Sequence, residues 1–125
     1  MMLARENTDR GVVLALPGSG AAAERLRAGG WTVYRAASGE EARRLACRHL
    51  PEAVVLPTDG PVESGWLSCA KLLRAQPRLR VLLVGERSAG DLRFARYVGA
   101  AELVPTGVGA DELAERVEGA VPQAV

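Results

Sequence analysis

The sequence is poor in lysine, histidine, cysteine and aromatic residues, and it has no long apolar run. Of its 16 basic residues only Lys71 is lysine, and against 15 acidic residues they leave a net charge of +1. That balance excludes a global electrostatic pull toward nucleic acid or an anionic membrane. Two cysteines, Cys47 and Cys69, have neither the spacing of metal ligands nor the number of a disulfide framework, so both are expected as reduced packing residues. The one histidine, His49, falls beside an apolar helical stripe with no acid or nucleophile in reach, which suits a boundary residue better than a catalytic base. No stretch is apolar for long enough to cross a bilayer, and the first ten residues lack the apolar core of a signal peptide. A cytoplasmic protein is therefore expected, with a flexible N-terminus over residues 1–10, one domain over 11–121 and a tail over 122–125.

What is present fits one ordinary globular domain: 125 residues, 48% of them hydrophobic and 25% charged. Short apolar runs alternate with amphipathic segments, the pattern of a parallel sheet covered by helices on both faces. Val12 to Leu16 is apolar throughout, as a strand buried on both sides should be. Pro17-Gly18-Ser19-Gly20 breaks it, and Ala21 to Ala28 reads as a short helix stopped by Gly29-Gly30. Trp31 to Ala36 is a second strand, mixed enough in polarity to lie near a sheet edge. Ser38 and Glu41 have capping-box spacing, ahead of a helix whose stripe is Ala42, Leu45, Ala46, His49 and Leu50. Pro51 ends that helix, and a third strand runs to Leu56 and Pro57.

Beyond a loop punctuated by Gly60, Pro61 and Gly65, a third helix is predicted to turn Trp66, Cys69, Ala70 and Leu73 inward. Val81 to Val84 is a fourth strand ending at Gly85. Ser88 and Asp91 cap a helix that Gly99 closes, Glu102 to Pro105 forms a last strand, and Asp111 to Val121 a last helix. Five strands and five helices in alternation predict a flavodoxin-like, doubly wound α/β sheet of order 2-1-3-4-5. Its switch point brings Pro17 and Gly18 beside Pro57.

These residues carry a resemblance. Gly30-Trp31-Thr32-Val33, Ala36 to Ala42 and Pro51 to Leu56, followed by Pro61, Gly65, Gly99 to Glu102 and Glu112-Leu113, resemble response-regulator receiver (CheY-like) domains from Val12 to Val121. The resemblance implies five functional positions, and each departs from the family pattern. The phosphoacceptor aspartate ending the third strand corresponds to Pro57, and the acid pair that holds magnesium to Pro17 and Gly18. The hydroxyl residue ending the fourth strand corresponds to Gly85, the lysine ending the fifth to Thr106, and the switch aromatic to Leu103. A degenerate pseudo-receiver is implied: not an enzyme, without metal or cofactor, and working by phosphorylation-independent protein contacts in bacterial signalling, in the realm of motility, polarity or transcriptional regulation. Gly65 to Leu72 is also similar to a third-helix stretch of a gliding-motility pseudo-receiver, which shared packing alone explains.

Among the other candidates, Asp59 is a displaced acceptor or, as Asp59-Gly60 suggests, a turn residue. Glu63 and Glu86 read as solvated loop carboxylates before cation ligands. Gly18-Ser19-Gly20 ahead of a helix offers the alternative function, a nucleotide- or phosphate-binding loop, but it lacks the lysine and third glycine of such loops. The expected interaction face is the family's fourth helix, fifth strand and fifth helix. It would carry Arg87, Arg93, Arg96 and Tyr97 opposite Glu112, Glu115 and Arg116, a charge pattern that would suit a symmetric homodimer. Neither nucleic acid nor membrane is expected as a partner, and no DNA-binding element follows the last helix in the sequence as read.

Overall fold

The computed structural model describes residues 10–122, so most of the expected flexible N-terminus and the last three residues of the tail lie outside it. Strand β1 (Arg10–Leu14) leads to α1 (Gly20–Ala28), β2 (Trp31–Arg35), α2 (Gly39–His49), β3 (Ala53–Pro57) and α3 (Gly65–Ala75). The chain continues through β4 (Arg80–Gly85), α4 (Ala89–Val98), β5 (Glu102–Pro105) and α5 (Ala110–Ala120). The strands form a single parallel sheet in the order β2-β1-β3-β4-β5, the flavodoxin-like topology expected.

Side chains alternate across each strand, so the all-apolar strands feed two separate cores. Val12, Leu14, Val55, Leu82 and Val104 meet Ala22, Ala23 and Leu26 of α1 and Leu113, Ala114 and Val117 of α5. On the other face Val13, Val54, Leu56, Val81, Leu83 and Leu103 pack with Ala42 and Ala46 of α2, Cys69 and Leu72 of α3, and Ala95 of α4. β2 is an edge strand, as its composition predicted, with Trp31 and Val33 buried and Thr32 exposed.

Several boundaries and faces differ from the sequence reading. β1 ends at Leu14 rather than Leu16, because its pairing with β2 ends there and Ala15 makes the last bond toward β3, its amide donating to the Val55 carbonyl at 2.9 Å. α2 buries only Ala42 and Ala46, leaving His49 and Leu50 exposed. Leu50 sits at φ 49°, a left-handed turn that closes the helix just before Pro51, whose ring disfavours helical backbone in the preceding residue. The His49 ring stacks on Tyr34 with centroids 4.1 Å apart. Cys47, expected to pack, is exposed, whereas Cys69 is buried.

The inward face of α3 is Gly65, Ser68, Cys69 and Leu72; Trp66 and Leu73 are half-buried and Ala70 is exposed. Capping follows the sequence more closely. Ser88 and Asp91 form a complete box, and Gly99 closes α4 at φ 89°. Ser38 accepts from the Glu41 amide, but the Glu41 carboxylate accepts from the Ala37 amide instead of that of Ser38.

Candidate functional site

At the carboxyl ends of the strands a cavity of about 570 Å³ opens between β1, β3 and the loops above them. Leu16, Pro17 and Gly18 line one side, Leu56 and Pro57 the floor, and Val84, Thr106 and Val108 the other side. Sequence reasoning placed Pro17 and Gly18 beside Pro57, and they do share this cavity. The β1–β3 register, with Leu14 opposite Val55, carries Leu16 to the level of Pro57. The residues flanking Pro57 across the sheet are thus apolar.

Backbone geometry around Pro57 is set by two glycines. The Gly65 amide donates to the Thr58 carbonyl at 2.8 Å, and a Cβ on Gly65 would overlap the Pro57 carbonyl. Glycine is therefore required for the N-terminus of α3 to close against the end of β3. Gly85 is the second: a Cβ there would overlap the Thr58 side chain. The Thr58 amide donates to the Val84 carbonyl at 3.0 Å, holding that side chain in place. A hydroxyl thus stands at the end of β4, supplied by the first residue after β3. Leu103 is buried against the α2–α4 side of the sheet, 4% exposed.

The ionisable residues lining the cavity are Asp59 and Glu63. Asp59 is exposed in its turn. Glu63 is not the solvated loop carboxylate the sequence suggested, since its side chain is only 11% exposed. The Ser68 hydroxyl donates to Oε2 at 2.5 Å, Lys71 Nζ to Oε1 at 2.8 Å and the Arg43 guanidinium to Oε1 at 3.3 Å. The Lys71 ammonium and the Ser68 hydroxyl, aided by Arg43, hold the Glu63 carboxyl down at about 2. This clamp ties the β3–α3 loop to α2 and α3, and sequence reasoning missed it. The available signal was Ser68 and Lys71 one turn apart on a helix free of acids, downstream of a loop carboxylate. Glu86 is exposed and lies outside the cavity lining.

The Gly18-Ser19-Gly20 turn is occupied by its own bonding. Gly18 has φ 69°, and the Ser19 hydroxyl donates to the Leu16 carbonyl at 2.8 Å while accepting from Arg35 at 3.4 Å. Among the described residues no group of three or more His, Cys, Asp or Glu side chains gathers as a metal site would require.

The expected interaction residues divide between two surfaces. Arg116 bonds Glu102 at 2.5 Å and Glu112 at 3.2 Å, so Glu112 and Arg116 already complement each other within the chain. Arg87, Arg93, Arg96 and Glu115 are exposed. Tyr97 is 84% exposed and stacks on Phe94, which leans on Trp66 of α3, so the tyrosine belongs to the α3 side of α4.

No protein-family model matches the chain, and no curated relative matches it. Solved structures do. The chemotaxis protein CheY4 of Vibrio cholerae superposes with a TM-score of 0.81 at 17% identity, over 90% of this chain and 99% of that one. A DNA-binding response regulator of the LuxR family from Staphylococcus aureus gives 0.77 at 17%, over 89% and 98%. A Burkholderia pseudomallei response regulator carrying a phosphorylated aspartic acid and a calcium ion gives 0.74 at 22%, over 89% and 72%. The chain has the fold of response-regulator receiver domains.

Proposed function

We propose that this receiver fold serves as a phosphorylation-independent protein-interaction module in bacterial signal transduction, acting in the cytoplasm and catalysing no reaction. The observation that carries the reading is Pro57 at the end of β3, flanked by Leu16 in register and sealed by Gly65. A phosphoacceptor must be a nucleophilic carboxylate, with acids to hold a metal that neutralises the incoming phosphate. Proline supplies no nucleophile, and Pro17 and Gly18 supply no side-chain metal ligands. Thr106 offers no cation to pair with a phosphoryl group.

The alternative, a nucleotide or phosphate site at Gly18 to Gly20, draws support from the cavity itself. Its charged lining opposes it. Asp59 and Glu63 are both acids, no basic side chain lines the space to pair with an anion, and the Ser19 hydroxyl is spent on the Leu16 carbonyl.

The test is incubation of the purified protein with a small acyl phosphate and magnesium, read by intact mass. The expected mass is unchanged. A stoichiometric phosphate adduct, mapped to Asp59 or any other residue, would overturn the proposal.

A further inference from the structure

The chain has only five aromatic residues, and three of them form one row on the outside of α3 and α4. Trp66 and Phe94 have ring centroids 4.9 Å apart, and Phe94 and Tyr97 stack at 6.1 Å with planes 13° apart. The row runs outward from the protein: Trp66 is half-buried, Phe94 is 43% exposed and Tyr97 84%. Leu67, 48% exposed, extends the apolar surface along α3. Helical spacing then places Ala70 and Arg74 along the same outer line of α3, and Arg93 beside Tyr97 on α4. A packed core would not leave a phenylalanine and a tyrosine in water when inward positions lie one turn away, and aromatic residues with arginine are the favoured anchors of interfaces.

Charge says what kind of partner fits. α3 contains Lys71 and Arg74 and no acid; α4 contains Arg93 and Arg96 and one acid, Asp91. Asp91 is held in the capping box by Ser88, and Lys71 is held by Glu63. Among the described residues Arg74, Arg93 and Arg96 have no ion-pair partner. α5, by contrast, carries four acids and one arginine. The α3–α4 surface therefore presents apolar anchors ringed by unneutralised guanidinium groups. The aromatic row lies on the two helices and not on a strand, so a partner meets side chains here rather than an open backbone edge.

We infer that the α3–α4 surface is a docking site for an acidic amphipathic helix of a partner protein, its apolar side on Leu67, Phe94 and Tyr97 and its carboxylates toward Arg74 and Arg93. This is the helix-in-groove mode of recognition, and it deepens the reading of the domain as an interaction module by naming the surface and the chemistry of what it binds.

The test is selection from a displayed library of random 16-residue peptides on the wild-type domain. Winners are then measured against three variants and a charge-reversed form of themselves. The expected winners are acidic, with apolar residues at helical spacing. They bind at least tenfold more weakly to Phe94→Ser/Tyr97→Ser and to Arg74→Glu/Arg93→Glu, and are unaffected by Arg25→Ala on the opposite face. Their lysine-for-glutamate forms do not bind. If the aromatic double variant fails to fold, Tyr97→Glu alone, at a position 84% exposed, carries the same comparison. Basic or neutral winners, winners indifferent to the α3–α4 substitutions, absence of enrichment, or sedimentation showing a second copy on this surface would each overturn the inference. None of these outcomes touches the phosphodonor result, so the two readings fail separately.

Discussion

Replacing Glu63 with glutamine probes the clamp at the mouth of the cavity. The carboxyl is held at about 2 against an ordinary 4.5, and glutamine keeps the shape of the side chain while removing its charge. One pH unit of difference between folded and unfolded states corresponds to about 1.4 kcal/mol, so the ionised carboxylate contributes roughly 3 kcal/mol at neutral pH. That figure is an upper one. Lys71 is 46% exposed, and water shares in neutralising it, so Glu63→Gln is expected to cost about 2 to 3 kcal/mol in urea denaturation at pH 7. The direction with pH follows from the sign of the shift. The folded state favours the ionised form, so its contribution is complete above the unfolded value of 4.5. It declines as the pH falls through the window toward about 2, because the unfolded chain then takes up the proton first.

At pH 3 the wild-type advantage over Glu63→Gln should shrink to about 1 kcal/mol. The variant should lack this component of acid sensitivity. Two curves of stability against pH that run parallel from 7 to 3, or a variant within about 0.5 kcal/mol of wild type at pH 7, would refute the assignment of the low value to this cluster.

Two further outcomes test the packing of the same region. Gly85→Thr, which restores a hydroxyl side chain to β4, should destabilise by about 1 to 3 kcal/mol because the Thr58 side chain already fills that space. In the Thr58→Ala background the same change should cost at least about 1 kcal/mol less, a coupling read by a double-mutant cycle; additive effects would exclude the overlap. Burial pushes the Cys69 thiol up to about 11 while Cys47 is exposed on α2. An alkylating reagent at pH 8 should therefore label one thiol per folded chain, at Cys47, and two in urea. Equal rates at both cysteines in the folded protein would contradict the burial.

How much of this was legible in the sequence depends on whether the deciding contacts are local. β4 and β5 were readable because each is an apolar run bounded by proline, glycine or charge, and the Ser88–Asp91 cap because a capping box is complete within four residues. The errors occur where a distant segment decides. β1 gives up Ala15 and Leu16 because β2 turns away at Arg35, a fact held in another strand. The face of α3 is rotated from the one its hydrophobicity predicts because Ser68 turns inward to meet Glu63, five residues earlier. A hydropathy pattern scores that serine as a surface residue. Glu63 itself looked like a loop acid because its partners come from two helices, twenty residues before and eight after. Phe94 drew no notice because an aromatic residue at helical spacing reads as core, and only its exposure shows otherwise.

The distribution of satisfied and unsatisfied charge separates the two ends of the functional argument. At the mouth of the cavity the Glu63 carboxylate accepts from three donors within the chain, so it has little capacity left for a ligand and acts as a brace for the loop that follows Pro57. On α5, Arg116 is bridged to two carboxylates of its own chain, and a partner wanting either group must first break those pairs. On α3 and α4 the arginines keep their full hydrogen-bonding capacity next to rings that water solvates poorly. A new contact there gains without first losing one, because both the guanidinium groups and the apolar surface improve when an acidic, apolar-faced helix covers them. With proline and glycine at its strand ends, the fold would on this proposal be recognised through the surface where exposed rings and unpaired arginines occur on the same two helices.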